Sequence, residues 1–233
     1  MKNMVDFCVP NDYNHQVNSW DILGNILGSE QGIYQVMDLG CGDGSSVNYF
    51  RTKAPYVTWF GLDLKNSSGL KAWLERDASF CIFDGINIPF RNDGIDMVYC
   101  HQVFEHVRYP TELLREVLRI LRPGGFFIGS TSHLEPYHAY SVWNYTPYGF
   151  WLLLQDEGFQ VLEMRPSIDA LTLIIRRVFR CHPFFSRWWT EESPLNQCIN
   201  VVGRIMRMQP ADINLLKLLF CGQFCYVARK PVS

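Results

Sequence analysis

The sequence predicts an α/β protein built on a largely parallel sheet with helices on both faces. Three observations carry this. Apolar, strand-length runs alternate with helix-periodic segments over the first 165 residues, the rhythm of parallel strands joined by crossovers. The first run passes straight into a glycine-rich turn, VMDLGCGDGSS at 36–46, where an open α/β sheet places its ligand. Residues 168–219 then break the rhythm with a stretch too long for an ordinary connection.

Each element has its own signature. Residues 17–28 (VNSWDILGNILG) space apolar side chains at helical intervals, and SEQG ends the helix. IYQVMDL is the first strand, and SSVNYFRTKA its helix, stopped by Pro55. VTWFGLDL is the second strand, followed by a short helix over SSGLKAWLERDA that opens on serine. SFCIFD and GIDMVYC are the third and fourth. In YPTELLREVLRILRPGG, proline stands at the helix start, apolar residues fall at 113, 114, 117, 118 and 121, and Pro-Gly-Gly stops the helix. GFFIGSTS is the fifth strand. A helix over TPYGFWLLLQDEG follows, with Thr146 as cap and Gly158 as terminator, before the sixth strand, FQVLEMR, and the seventh, QFCYVARK. The expected organisation is one domain: an N-terminal helical segment at 1–32, a core at 33–165, a helical insertion at 166–220 and the last strand at 221–233.

Bulk properties exclude several classes. At 233 residues and 48% hydrophobic content the chain can bury a sizeable core. A formal net charge of -2 gives no reason to expect nucleic acid. The opening MKNMVDFCVPNDYNHQ lacks an apolar core behind a basic start, which argues against a signal peptide. No run approaches the roughly 18 apolar residues of a membrane span. Eight cysteines are scattered without a C-x-x-C, a pattern of reduced, buried thiols that points to a cytoplasmic protein.

The glycine turn carries an anion. Its spacing is G-x-G-x-G, with Ser45 where a dinucleotide binder places its third glycine. Asp38 stands two residues ahead of Gly40 and would repel a diphosphate by about 4 kcal/mol per charge pair at roughly 4 Å; a cationic ligand would be drawn in. S-adenosylmethionine fits, having an ammonium, a sulfonium and no phosphate; the alternative is that Asp38 holds the loop for structural reasons. Asp63 ends the second strand about twenty residues on, where a carboxylate can accept hydrogen bonds from ribose hydroxyls. Asp84 closes the third strand in FDGINIPF, placed for an adenine amino group, with a backbone N–H of the following turn for a ring nitrogen.

The run VMDLGCGDGS, then GLDL, FDGINIPF, GIDMVYCHQVFEHV and LREVLRILRPGGFFIGS resembles class I S-adenosylmethionine-dependent methyltransferases, closest to the methyltransferase type 11 group. The likeness covers roughly residues 33–165 and the last strand. It implies a three-layer, Rossmann-like fold whose seven strands are ordered 3-2-1-4-5-7-6, with strand seven antiparallel. It also implies S-adenosyl-L-methionine as cofactor, with Gly40 and Gly42 under its methionine part, Asp63 on the ribose and Asp84 at the adenine. The expected cofactor set is Asp38, Gly40, Cys41, Gly42, Asp63, Leu64, Asp84, Gly85 and His101. Asp43 is a mild departure from the Thr or Ser common in the group, and Asp96 matches a structural aspartate.

On the acceptor side, His133 is the first candidate base, being nearest the end of strand five in STSHLEPYHAYSVWNYTPYG, with His138 second. His101, just past strand four, is expected to line the pocket and is a further candidate base. His106 is read as holding a helix start. QVFEHV is also similar to the E-x-x-E-H of metal-dependent methyltransferases, but Gln102 fills the first position, leaving Glu105 and His106 with a third donor from His133 or His138; no metal is expected. The insertion carries six arginines and one lysine against four acids over 168–219. It admits a lid or dimer contact, or a peripheral membrane contact through 176–189. The hydrophobic runs at 171–175 and 213–220 read as core faces and favour the lid. The expected activity is methyl transfer to a small-molecule or glycan- or lipid-linked acceptor, on oxygen, by a monomer or homodimer. The competing readings are a non-catalytic binding module and an NAD-type oxidoreductase.

Overall fold

The computed structural model describes residues 8–65, 73 and 78–232. Its sheet contains β1 (Gln35–Leu39), β2 (Thr58–Leu64), β3 (Ser79–Phe83), β4 (Ile95–His101), β5 (Leu121–Ser132), β6 (Gln160–Pro166) and β7 (Gln223–Arg229). The order is β3-β2-β1-β4-β5-β7-β6. The pairs from β3 through β5 are parallel, and β7 runs antiparallel to both β5 and β6. This is the topology the resemblance implies.

Alternation along the strands feeds two cores. Val36, Met97, Tyr99 and Ile128 point to one face, and Met37, Val98, Cys100 and Phe127 to the other, all buried. Side chains of period two buried on both sides are what a helix-covered parallel sheet requires. Helix α1 (Ser19–Ser29) begins in a capping box, with the Asn18 side chain accepting from the Trp20 and Asp21 N–H groups. Helix α2 (Ser46–Lys53) follows the glycine turn. Helix α3 (Pro110–Ile120) buries Leu113, Leu114, Val117 and Ile120 along one stripe. Helix α4 (Pro147–Asp156) is capped by Thr146, whose hydroxyl accepts from the Gly149 N–H at 3.0 Å. The helix expected over SSGLKAWLERDA lies outside the described residues except for Trp73 and Ala78.

Two expectations need correction. Pro123-Gly124-Gly125 does not end α3. The helix stops at Ile120, and Leu121 already pairs with Ile95 in β5, so Pro-Gly-Gly forms an irregularity inside the strand before Phe126 pairs with Met97. Arg122 precedes a proline, which favours extended backbone there, and Gly124 takes φ +77. The run at 171–175 is not a core face. The insertion folds into α5 (Ala170–Val178), a 3-10 turn (Pro183–Trp189), α6 (Pro194–Ile205) and α7 (Pro210–Phe220). In α5 only Thr172 and Leu173 of that run are buried, while Leu171, Ile174 and Ile175 face out. The helical turn separates them, since residues one and two apart point to different sides.

The insertion is tied down at its base. Asp169 caps α5 through the Thr172 N–H at 2.7 Å and hydroxyl at 2.9 Å. Lys217 of α7, fully buried, pairs with Glu192 and donates to the Asn14 carbonyl. Gln16 donates to the Trp188 carbonyl and accepts from Asn196. Residues 14–16 are thus pinned between the sheet and the added helices.

Asp96 plays the structural part expected of it. Its carboxylate accepts the Tyr34 and Gln35 N–H groups at 2.7 and 2.8 Å and pairs with Arg122 at 3.0 Å, joining the entry of β1 to β4 and β5. Replacing it by Ala leaves two backbone donors without an acceptor. Asp96→Ala is expected to lower the unfolding free energy by about 2 kcal/mol, read as a lower urea midpoint at unchanged slope.

Candidate active site

The turn after β1 is shaped by close approach. Gly40 has φ +75, and a Cβ there would sit 2.3 Å from a Val103 methyl. The Gly40 and Cys41 N–H groups both donate to the Leu62 carbonyl. Among the described residues no atom lies within 4 Å of where a Cβ of Gly42 would be. Asp63, at the end of β2, reaches across and accepts the Gly42 N–H at 2.7 Å, while the Trp73 indole donates to the Gly42 carbonyl at 2.8 Å. The turn is therefore held from the β2 side before any ligand arrives.

Asp38 lies below this turn. It is buried, and the Ser46 hydroxyl at the start of α2 donates to it. Burial raises its pKa to about 7; the Ser46 bond opposes the rise and the neighbouring Asp63 charge adds to it. Asp84 is exposed and turned to its own loop, accepting from the Ile86 and Asn87 N–H groups and the Asn87 amide. The Asn87 side-chain bond, with the two backbone bonds, holds its pKa below the ordinary value.

A cavity of about 470 Å³ opens beside these strand ends, within the range of small-molecule sites. Of the expected cofactor residues, Gly40, Asp63, Leu64, Asp84 and Gly85 line it; Asp38, Cys41, Gly42 and His101 do not. Phe83, Ile86, Val103 and Leu113 give it apolar walls, and Gln102, His106 and Arg108 bring polar groups. The QVFEHVRY segment contributes more lining than its reading as a helix start allowed. Its signal in the sequence is a short segment directly after a buried strand that mixes apolar Val103, Phe104 and Val107 with Glu105, His106 and Arg108.

The histidines separate. His101 sits beneath α1, its Nδ1 bridging the Ser19 and Ser130 hydroxyls at 2.7 and 2.9 Å. Packing around the ring pushes its pKa down to about 4 although the residue keeps a solvent-facing edge; it is neutral near pH 7. His133 lines a second cavity of about 260 Å³ between α4 and α7, which shares no residue with the first. His106 lines the main cavity. Behind it, its ring meets that of His138 edge-on at 5.3 Å. His138 in turn lies 3.9 Å from Glu105 and 3.6 Å from Glu135. Glu105 is fully buried, accepts from the Thr131 and Ser132 hydroxyls and is pushed up to about 7 by burial. Donor atoms of Glu105, His106 and His138 lie within 4.8 Å of one another, so His138, rather than His133, completes that set. Donors sharing one ion at about 2.1 Å stand nearer 3 Å apart.

Residues 37–129 match the family model described as a methyltransferase domain. Over those residues the chain is similar to methyltransferase domains. Similar to it is a phthiotriol/phenolphthiotriol dimycocerosates methyltransferase of Mycobacterium tuberculosis, 30% identical over 47% of this chain and 41% of the relative. A fatty-acid O-methyltransferase of Mycolicibacterium smegmatis is 29% identical over 68% of this chain and 58% of that one. The chain thus spans about half the length of these curated relatives. Among solved structures, a phosphoethanolamine N-methyltransferase of Haemonchus contortus with bound S-adenosylhomocysteine superposes at a TM-score of 0.61, with 15% identity over 91% of this chain and 52% of that one. At that identity it is the fold that is shared.

The residues at the cavity fit S-adenosylmethionine. Two carboxylates stand at neighbouring strand ends beside an apolar wall suited to a flat base, and no described residue crowds Gly42. Asp63→Ala is expected to abolish S-adenosylmethionine binding in a calorimetric titration, whereas unchanged affinity would move the slot elsewhere. Asp38 supplies a second prediction. Its folded pKa lies above the ordinary 3.8, so its burial costs nothing below about pH 4 and stability is lost as pH rises from there through about 7. Asp38→Asn should therefore unfold at higher urea than the wild type at pH 8 and coincide with it near pH 4.

Proposed function

We propose that the chain transfers a methyl group from S-adenosyl-L-methionine to an oxygen of a small apolar acceptor, free or lipid- or glycan-linked. The observation that carries this reading is a single cavity that joins the strand-end acids Asp63 and Asp84 to the His106 imidazole along an apolar wall. Names of similar proteins support the acceptor class: one is a fatty-acid O-methyltransferase, and a 30% identical stretch of 105 residues belongs to a tocopherol O-methyltransferase of Arabidopsis thaliana.

When bound, S-adenosylmethionine supplies an electrophilic methyl carbon on a sulfonium. The protein's part is to position and to manage a proton. Asp63 would hold ribose hydroxyls and Asp84 the adenine edge, with Leu64 and Ile86 packing the base. Asp38 would supply negative charge near the cationic end. Alignment of acceptor oxygen and methyl supplies much of the rate in such a displacement. His106 is the base in this reading. It lines the cavity, and desolvation followed by the neighbouring His138 lowers its pKa below the usual imidazole value. It is neutral at pH 7 and free to accept a hydroxyl proton, with the Glu135 charge, which favours the imidazolium, near it.

The test is incubation of the purified protein with S-adenosylmethionine and a panel of fatty acids and hydroxylated lipids, followed by mass spectrometry. Products heavier by one methyl, with S-adenosylhomocysteine formed in equal amount, are expected. Cofactor binding without any turnover would favour a non-catalytic module. His106→Ala should lower kcat about 100-fold with cofactor affinity unchanged, while His133→Ala changes it little. The acid limb of the rate profile should fall below the ordinary histidine value of 6.5, because the base works only when neutral.

A further inference from the structure

The outer face of the insertion is apolar and basic together. Along α5, Leu171, Ile174, Ile175 and Val178 are exposed at spacing i, i+3, i+4 and i+7. Helix α6, which touches α5, repeats the spacing with Cys198, Val201, Val202 and Ile205. Phe179 and Met206 carry each stripe one residue past its helix at 61% and 68% exposure. Among the described residues, ten of the 26 exposed large hydrophobic ones fall within 171–206, so this is a concentrated patch and not the ordinary scatter of a surface. Arg177, Arg180, Arg204 and Arg207 stand exposed at the same helix ends, and none of the four forms an ion pair among the described residues.

We propose that this face docks on an anionic lipid surface, with the two apolar stripes entering the headgroup boundary and the four arginines meeting lipid phosphates. Each feature has that use. A helix with one apolar side and a cationic rim lies in the plane of a bilayer, and guanidinium groups bind phosphate in a planar, two-pronged fashion. Helix α5 has nine residues, about 14 Å of rise, so it can lie on a bilayer but not cross it. Net charge sets the orientation: 168–219 carries +3 and the remainder of the chain -5, so an anionic surface attracts the insertion and repels the rest. A second copy of the chain fits the face less well, because a two-fold contact would set these arginines against their own copies.

Docking would hold the protein at the surface where an apolar acceptor is dissolved, and in that respect it rests on the acceptor reading above. Binding to vesicles is measured without cofactor or acceptor, so either proposal can fail alone. The full chain is sedimented with vesicles of phosphatidylcholine, or of phosphatidylcholine with about one-third phosphatidylglycerol. Binding to the anionic vesicles, release by high salt and little binding to the neutral ones are expected. Changing the four arginines together to Ala should weaken binding more than about 100-fold, at roughly fivefold each; changing them to Lys should preserve most of it. Val178→Asp with Ile205→Asp should weaken it at least about tenfold, with the circular dichroism spectrum unchanged. The proposal is overturned by absent binding, by equal binding to both vesicles, or by insensitivity to these substitutions. A dimer in light scattering that Val178→Asp and Ile205→Asp dissociate would assign the face to a second copy and overturn it as well.

Discussion

A carboxylate kept out of water beneath the glycine turn after β1 is the constraint around which this molecule is arranged. Asp38 is buried at the end of β1, Ser46 is its hydroxyl donor, and the nearby Asp63 charge makes its ionisation harder. A partly protonated buried acid is a poor device for holding a loop, since any hydroxyl or amide would serve there at lower cost. It is a good device for receiving a cation. A positive group over the Gly42 opening favours the ionised form and converts a stability defect into binding free energy.

The remaining acids face the same exchange. Asp63 accepts the Gly42 and Leu64 N–H groups, and Asp84 is occupied by Ile86 and Asn87. Each carboxylate is therefore oriented by the backbone of the turn next to it and presents its remaining lone pairs to the cavity. The sheet makes this possible. Parallel pairing of β3, β2 and β1 sets the three strand ends side by side, with Asp38 opposite Gly61 and Asp63 opposite Ile82. Glycine at 61 and at 40 leaves room for the side chains that cross between strands.

Much of this was legible from residue order. Strand and helix alternation, the glycine spacing and the acids at 38, 63 and 84 are local signals, and the residues that carry them line or underlie the cavity. The misjudged parts depend on distant packing. Pro-Gly-Gly at 123–125 stops helices in general, but here Leu121 is captured by Ile95 and the strand starts early. The run at 171–175 is apolar enough for a core, yet only the direction of α5 decides that three of its members face out. His133 and His106 differ by neither type nor proximity to a strand end. What separates them is that the chain after β5 turns towards α7, whereas the 3-10 turn Phe104–His106 folds back over the glycine turn.

The central claim is that the buried anion answers a cationic ligand, and its most direct test is a count of protons. S-adenosylmethionine binding is followed calorimetrically near pH 7 in buffers of different ionisation enthalpy. Because Asp38 titrates at about 7, ligand binding should release a fraction of a proton approaching about one-half in the wild type, and none once Asp38 is replaced by Asn. Binding with no proton released, or with protons taken up, would contradict the account.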